Sequence, residues 1–529
     1  MLHKIRELSK DSAIYGLGDV AVSLVNFLLL PLYVRYLTGT DYGILALLGA
    51  VEVVTKIVAR WGLDGSFMRY FYDCETDADR QQLASTIFYF LLFGNAALFT
   101  ISMLTAPWLA RQLFSGEGTL ALRLVLLNTF LLSFTFLPFH VLRIERRSGE
   151  FSVLTLARSI LTVILRLILI VGLGQGVLGV VVADLVVTAI LMGVLARRFL
   201  PLIGAMFSGL LLRETLAFGL PRLPHAAAQQ IMAVGDKVIL QMFRPLADVG
   251  MYAMGVSFGL TLKLFLSAFE SAWAPFYYST AREPGAAAVF RTVTTYAVAT
   301  LVLLAAGLAA TARDLLDVMT NGLFVDAAPI VGWTALAVLI QGVYLLTSIG
   351  LNLTKQTKYY PVATVSAAAA NVILNFALIP RFGLLGAAWA NAIAYAVQTA
   401  IAFMFSQRFY PLQYEYRRVG QIAVAGALAF LSGVAIPPIP ALLGLVLRGS
   451  IVFAVFTALL WSTGFLRADE LAVLARVRRS RRRDVASRDA TELAGEIISA
   501  DIPDQIGSGG RHDVVEDAPA ASVGRHQPH

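Results

Sequence analysis

The chain has 529 residues, of which 58% are hydrophobic and only 14% are charged, and its formal net charge is +8. A soluble globular protein is roughly half apolar and about a quarter charged, so this composition excludes a water-soluble body of this size. The apolar residues stand in continuous runs of about 20, which is the length that a helix needs to cross a bilayer. Because a spanning backbone must satisfy its own hydrogen bonds, we predict an all-α integral membrane protein.

Fourteen apolar segments are long enough to be transmembrane helices, and we number them as spans 1 to 14 in chain order. They run approximately over residues 12–36, 42–62, 84–107, 119–139, 151–172, 176–196, 214–235, 247–272, 291–312, 327–352, 360–379, 384–406, 419–436 and 441–465. Span 1 is too long for the apolar core of a signal peptide and lacks a small-residue cleavage site, so we interpret it as a retained helix. The polar tail that follows is expected to be disordered, because it has few large apolar residues.

The orientation follows from an alternation of lysine and arginine between the loops. The segment before span 1 and the loops after spans 2, 4, 6, 8, 10 and 12 are rich in these residues, whereas the intervening loops hold few. The richer loops are predicted to be cytoplasmic, and fourteen spans then place both termini in the cytoplasm. The net charge is therefore interpreted as membrane topology, and we expect no nucleic-acid partner.

An internal repeat relates the two halves of the chain at an offset of 207 residues. The pattern Asp-X-Gly at 41–43 opens span 2 and recurs at 248–250 in span 8, and the same offset relates Asp184 to Asn391. The repeated unit holds six spans, an even number, so both copies enter the membrane in the same direction, as in parallel-repeat transporters. We predict two parallel six-helix repeats around a central cavity plus two extra helices, with these boundaries: an N-terminal lobe over 1–200, a C-terminal lobe over 201–410, spans 13 and 14 within 411–466, and a cytoplasmic tail over 467–529.

Spans 2 and 8 carry ionisable residues at depths where a charge usually faces a cavity or a partner. Glu52, Lys56 and Arg60 lie on one face of span 2 at a spacing of four residues, and Lys263 and Glu270 lie one heptad apart in span 8. The repeat relates Lys56 to Lys263, so we predict that the two lysines face each other and hold an anionic headgroup. The alternative is structural: Lys56 pairs with Glu52, and Lys263 is paired or extends to the interface.

Three arginines are further candidates for the same cationic cavity. Arg158 and Arg166 lie two turns apart on span 5. Arg222 lies in span 7 within Leu220–His225, where two prolines are expected to break or bend the helix. A bent helix beside a cavity can expose polar groups to a substrate, although the bend could equally serve packing alone.

Four acidic residues within or near the spans are candidates for ion coupling or for counter-ions, namely Asp19, Glu52, Asp184 and Glu270. Each could take up a proton during transport or pair permanently with a cation, and we favour the fixed counter-ion for Asp184. Asp236 adjoins Lys237 near an outer end, where we expect a solvated pair. The sequence holds no phosphate-loop motif and no histidine–cysteine cluster, so we expect no cofactor, no metal and no catalytic site.

Four segments of the sequence resemble the bacterial oligosaccharide flippases of polysaccharide biosynthesis, such as those for O antigen, which are relatives within the multidrug/oligosaccharidyl-lipid/polysaccharide exporter superfamily. The segments are 33–44, 61–72, 272–277 and 375–388, and the resemblance covers about residues 5–465. It implies two six-helix lobes in a V with alternating access, in the bacterial inner membrane, around a cavity lined by spans 1, 2, 7 and 8. Lys56 and Lys263 fall on those spans.

The resemblance also implies the cargo and the partners. The cargo would be an undecaprenyl-pyrophosphate-linked oligosaccharide held by cationic cavity residues, and the partners would be membrane lipids and other membrane proteins of polysaccharide assembly. The flippase for the peptidoglycan precursor lipid II is similar in layout. Span 1, however, lacks the arginines expected of that relative and carries Asp19 instead, which disfavours lipid II as the cargo.

Two other classes of function remain as alternatives. An ion-coupled exporter of small molecules with the same fold should have cavity acids that no base balances, whereas spans 2 and 8 each hold both signs of charge. A membrane enzyme such as a polysaccharide polymerase should have a sizeable outer loop, whereas the predicted outer loops have ordinary lengths. The sequence therefore favours the flippase, and it leaves the sugar, the driving force and the oligomeric state open.

Overall fold

The computed structural model describes residues 29–467, except Ser115, Glu117 and Arg146 and the side chains of Ser148 and Arg198. Most of span 1, including Asp19, and nearly all of the predicted tail lie outside the described residues. The described residues up to Phe465 belong to one unit of the chain.

Helices make up almost all of the described part of the chain, and no β-strand occurs in it. In chain order the helices are α1 (Leu30–Val34), α2 (Gly39–Arg60), α3 (Leu63–Asp73), α4 (Asp77–Phe114), α5 (Thr119–Ile144), α6 (Ser148–Arg166), α7 (Gly176–Phe199), α8 (Gly209–Gly219), α9 (Leu223–Phe243), α10 (Leu246–Gly259), α11 (Leu262–Thr280), α12 (Ala286–Thr320), α13 (Ala328–Thr347), α14 (Ile349–Leu353), α15 (Tyr359–Phe382), α16 (Leu384–Phe409), α17 (Tyr416–Val434) and α18 (Ala441–Ser462). The all-α prediction is confirmed.

Ten helical segments within the described residues are long and apolar enough to cross a membrane, or eleven if the bent pair α10 and α11 forms one span. They correspond to predicted spans 2–6, 8–12 and 14. Span 7 is absent from this set because a 3₁₀ turn at Leu220–Arg222 divides it into α8 and α9. Span 13 is absent because Arg417, Arg418 and Gln421 occupy the first turns of α17. The chain is thus a multi-pass membrane protein, for which a count of fourteen spans stays a prediction.

The candidate membrane span that contains span 2 runs over Gly39–Asp73, and it is interrupted at the predicted end of span 2 by two residues in the left-handed region, Trp61 at φ +51° and Gly62 at φ +71°. The indole N–H of Trp61 donates to Asn95 Oδ1 at 3.0 Å. Asn95 Nδ2 in turn donates to the carbonyl oxygen of Ala59 at 2.9 Å, near the end of α2, where carbonyl groups lose their helical partners. The buried Asn95 therefore stabilises the break at which α2 ends and α3 begins.

The two halves of the chain meet where α2 packs against α10, and this contact has the symmetry of the repeat. Gly43 lies against the carbonyl oxygen of Leu246, and Gly250 lies against that of Gly39, so closely that a Cβ atom on either glycine would overlap the oxygen. Both pairs of equivalent residues, 39 with 246 and 43 with 250, are separated by 207 positions. The absence of side chains permits this approach, while the lobe boundaries at 200 and 410 stay a prediction.

A second close contact joins the two halves at the other end of α2, where α3 packs against α8. Gly62 and Gly219 each lie against the other's carbonyl group. The Ser66 hydroxyl donates to the carbonyl oxygen of Thr215 at 2.8 Å. The interface between the halves is therefore packed at two places that lie a helix length apart.

The last two helices, α17 and α18, attach to the second half through ion pairs with α12. Arg448 Nη1 on α18 lies 3.0 Å from Asp314 Oδ2 on α12, and both side chains are buried. Arg291 on α12 lies 3.4 Å from Glu415, which directly precedes α17. Each buried charge thus has a partner, which is the condition for stability in an apolar surrounding.

Candidate functional site

A cavity of 460 Å³ lies where the end of α2 meets the interrupted span 7. The described residues that line it come from both halves of the chain: Val53, Lys56, Ile57, Arg60, Gly62, Asp64, Gly65, Arg222, Leu223, Ala226 and Gln230. Three of them are cations that were predicted from the sequence to line a cavity, namely Lys56, Arg60 and Arg222. The structure brings these three together, and their role in binding stays a prediction.

The local sequence explains how cations from two distant segments reach one cavity. Lys56 and Arg60 are one helical turn apart near the end of α2, so they share a face. Arg222 ends the 3₁₀ turn that Pro221 introduces into span 7, and its Cζ lies 4.2 Å from the centre of the Phe218 ring. Gly65 leaves room for it, because a Cβ atom on Gly65 would lie 2.8 Å from Arg222 Nη1.

Asp64 is the functional candidate in this cavity that sequence reasoning missed. Its Oδ2 lies 3.3 Å from Arg60 Nη1, and its Oδ1 lies 3.6 Å from His140 Nε2 on α5. The spacing of four residues from Arg60 was a usable signal, but Asp64 lies beyond residue 62, where span 2 was predicted to end. Within the described part of the chain, neither Lys56 nor Arg222 forms an ion pair, so the alternative pairing of Lys56 with Glu52 is not observed there.

A second cavity of 340 Å³ lies between α2, α7 and α10, and Glu52, Arg166 and Asp184 are among its lining residues. Arg166 and Asp184 form a bidentate ion pair, in which Arg166 Nε donates to Asp184 Oδ1 at 3.0 Å and Arg166 Nη2 donates to Asp184 Oδ2 at 2.7 Å. Asp184 therefore neutralises Arg166, which lies in a different cavity from Lys56. Across the described residues, no group of three metal-ligating side chains occurs.

The remaining candidates lie apart from both cavities. Lys263 is in the first turn of α11, directly after the break that ends α10, and both Lys263 and Glu270 are exposed. Lys56, by contrast, lies in the last two turns of the continuous helix α2. The two lysines are therefore at opposite ends of their helices, although the repeat relates them. Arg158 is half-buried on α6 and lines neither cavity. The predicted pairing of Lys56 with Lys263 across the axis stays a prediction.

Asp236 corrects the expectation of a solvated pair, because its side chain is completely buried. The Tyr252 hydroxyl donates to Asp236 Oδ2 at 2.5 Å, and the backbone N–H of Lys237 donates to Oδ1 at 2.8 Å. Asn391 Nδ2 lies 3.5 Å from Oδ2, and Lys237 Nζ lies 3.5 Å from Oδ1. Asn391 is the repeat equivalent of Asp184. The presence of a polar residue at this position in both halves was the signal in the sequence that polar groups meet there, and in the second half Asn391 contacts Asp236.

Both the sequence and the fold of this chain are similar to those of known proteins. The model of a family described as "Polysaccharide biosynthesis protein" matches residues 8–280. Protein 1 of the Lsg locus of Haemophilus influenzae is 24% identical over 298 residues, which cover 52% of this chain and 67% of that protein. The "Probable low-salt glycan biosynthesis flippase Agl15" of Haloferax volcanii is 30% identical over 90 residues, which cover 17% of this chain and only 19% of that protein.

The fold is similar to a solved structure described as the lipid II flippase MurJ in an inward closed conformation. The TM-score is 0.64 at 13% sequence identity, and the match covers 84% of this chain and 99% of that chain. At this identity the similarity concerns the fold alone. The family match covers more than half of the chain and includes every residue that lines the first cavity. The chain therefore belongs to the polysaccharide biosynthesis protein family.

Proposed function

We propose that this protein is a flippase that moves an undecaprenyl-pyrophosphate-linked oligosaccharide from the inner to the outer leaflet of a bacterial inner membrane. The observation that carries the proposal is the cavity between the two halves in which Lys56, Arg60 and Arg222 meet. Charges in a membrane protein are costly unless they face a cavity or a partner. A diphosphate supplies such a partner, since guanidinium groups bind phosphate oxygens through two parallel hydrogen bonds.

The position of the cavity suits a cargo that arrives from the cytoplasmic leaflet. Lys56 lies about 25 Å along α2 from Gly39 at 1.5 Å per residue, which is the cytoplasmic half in the predicted orientation with both termini inside. The partners of the protein are then the lipid-linked oligosaccharide and the surrounding lipids. Other membrane proteins of polysaccharide assembly stay predicted partners, and the protein itself needs no bond-breaking chemistry.

Alternating access is the mechanism that the two contacts between the halves support. The α2–α10 contact and the α3–α8 contact lie a helix length apart along α2, and the cationic cavity adjoins the second of them, since Gly62 belongs to both. If each contact opens while the other stays packed, the cavity is exposed to one side of the membrane at a time. The bulky headgroup can then cross without a continuous pore.

The balance of charge in the cavity favours this function over export of cationic small molecules. A cation exporter needs acidic groups that no base balances, whereas three cations and one carboxylate line this cavity. In the second cavity Asp184 is paired with Arg166, and Glu52 is a further carboxylate in the lining.

Complementation of a deletion strain tests the proposal. We expect Lys56→Ala, Arg60→Ala and Arg222→Ala each to reduce surface polysaccharide several-fold, and the triple variant to abolish it while lipid-linked repeat units accumulate. Arg282→Ala removes an exposed cation outside the cavity and should export normally at matched expression. Normal surface polysaccharide with the triple variant would exclude this cavity as the binding site, and a deletion without any effect on surface polymers would exclude the function.

A further inference from the structure

Asp64 is the single carboxylate among the described residues that line the cationic cavity. It lies four residues after Arg60, across the break at Trp61 and Gly62, and the ion pair with Arg60 has a distance of 3.3 Å. The side chains of Arg60 and Asp64 are 33% and 35% exposed. The pair therefore lies at the surface of the cavity, where a ligand can reach both groups.

The hydrogen bonding of Arg60 is incomplete in this arrangement. Asp64 approaches Nη1 only, and Arg60 Nε is buried without a hydrogen-bond partner in the described part of the chain. A guanidinium presents five N–H donors and reaches its strongest binding when two of them contact one anion. Arg60 thus has donors left for a second anion beside Asp64.

Asp64 lowers the net positive charge of the cavity by one. Lys56 and Arg222 form no ion pair with the described residues, whereas Arg60 shares its charge with Asp64. A diphosphate diester carries two negative charges, which match the two unpaired cations. The loaded cavity is then neutral with Asp64 and has an excess positive charge without it. Glu52, one turn before Lys56, lines the other cavity together with the Arg166–Asp184 pair.

We propose that Asp64 is the counter-ion that the diphosphate of the cargo displaces from Arg60, and that this competition sets how readily the cargo is released. The inference rests on the proposed function and adds a residue to it. His140 lies 3.6 Å from Asp64 Oδ1 with a side chain that is only 15% exposed. At this distance the two side chains form no hydrogen bond, so Arg60 is the direct partner of Asp64.

Arg60 is paired with Asp64 in the empty cavity and with the diphosphate in the loaded cavity, and this exchange explains why Asp64 does not simply weaken transport. In the empty cavity Asp64 stabilises Arg60, so the cargo gains less free energy on binding than it would from an unpaired arginine. On release Asp64 takes Arg60 back, which lowers the barrier to departure of the anion. Asp64→Asn keeps the size of the side chain and an oxygen that can accept from Arg60, and it removes only the competing charge.

Binding of farnesyl diphosphate to the purified full-length protein in detergent, measured by titration calorimetry, tests the inference. We expect Asp64→Asn to bind about tenfold more tightly than the wild type, because a negative charge near a diphosphate is removed, and to export less polysaccharide in cells. Asp73→Asn is the matched control, since Asp73 also follows an arginine by four residues on α3, at 4.0 Å from Arg69, but does not line the cavity. Its affinity should equal that of the wild type.

The outcomes separate this inference from the proposed function. If the wild type binds farnesyl diphosphate and Asp64→Asn binds it equally or more weakly, the role of Asp64 is refuted and the flippase remains. If the wild type binds farnesol as well as it binds farnesyl diphosphate, the diphosphate is not recognised and both proposals fail. Asp64→Ser serves as the second variant if Asp64→Asn does not fold, and tighter binding is expected of it too.

Discussion

At Gly65 the absence of a side chain decides where a cation from the other half of the chain can lie. Arg222 Nη1 occupies the space that a Cβ atom would need, at 2.8 Å from the ideal Cβ position. The obstructing atom is the far end of a flexible side chain and not backbone. An alanine at this position can therefore be accommodated by movement of Arg222, without unfolding α3.

Gly65→Ala is expected to move Arg222 out of the cavity and to lower export several-fold at normal expression. Loss of a charged hydrogen-bonding group typically costs about 1.5–3 kcal/mol of binding free energy, and a displaced arginine loses part of this. Surface polysaccharide and the amount of membrane-inserted protein are the two measurements. Gly193→Ala is the control, since no atom lies within 4 Å of its Cβ position. Equal export by the two variants would show that export does not depend on the position of Arg222 in the cavity.

The sequence singled out Lys56, Arg60 and Arg222, which the structure places at one cavity. It also singled out Lys263 and Arg158, which lie outside that cavity, and it did not show which anions pair with the cations. Lys56 and Arg60 were predicted because charges within an apolar run stand out, and Arg222 because it lies between two prolines that were expected to break or bend span 7. Asp64 was missed because it lies after residue 62, where span 2 was predicted to end. Asp236 was misjudged because its partner Tyr252 becomes its neighbour only when α10 packs against α9.

Among the helices, α2 is the element that links both contacts between the halves. Its first turns pack against α10 through Gly43 and Gly250, and the residues after its end pack against α8 through Gly62 and Gly219. In each contact a Cβ atom would overlap a backbone carbonyl, which cannot move aside as a side chain can. A single methyl group in either place should therefore weaken one contact and leave the other intact.

Gly250→Ala and Gly219→Ala are expected to change access to the cavity in opposite directions. Overpacking of this kind costs about 1–3 kcal/mol, which is enough to shift a balanced equilibrium several-fold. A cysteine reporter at the cavity residue Gln230, in a Cys74→Ser background that has no other cysteine, reports the access. An impermeant thiol reagent added outside the cell should label Gln230→Cys faster with Gly250→Ala and more slowly with Gly219→Ala.

The labelling experiment contradicts alternating contacts if both alanine variants change the rate in the same direction. Inverted membrane vesicles supply the control, since the order of the two rates should be reversed in them. This reversal also tests the predicted orientation, because it requires the start of α2 to be outside.

At the level of helices, apolar runs predicted the elements well where the chain has regular structure. Two prolines in six residues were predicted to break or bend span 7, and the structure divides it at Leu220–Arg222. The break between α10 and α11 was not foreseen, since no proline marks it and Gly259 is a weak signal. Such breaks depend on packing between helices, which a single sequence does not display.

For the whole molecule, the contacts and the cavity belong to one interface between two related halves. The offset of 207 residues was found in the sequence, and the α2–α10 contact repeats it in space through pairs of equivalent positions. The cationic residues, however, come from non-equivalent positions, Lys56 and Arg60 in one half and Arg222 in the other. The symmetry thus concerns the framework, whereas the predicted binding groups break it, as an asymmetric cargo requires.

The most direct test of the flippase is transport by the purified protein in lipid vesicles. The cargo is the undecaprenyl-diphosphate oligosaccharide extracted from the deletion strain, and its appearance in the opposite leaflet is measured with a lectin that cannot cross the membrane. We expect the wild type to move it and the Lys56→Ala/Arg60→Ala/Arg222→Ala variant to leave it in its original leaflet. Equal movement by both proteins, or no movement by the wild type, would contradict a flippase that holds its cargo through this cavity.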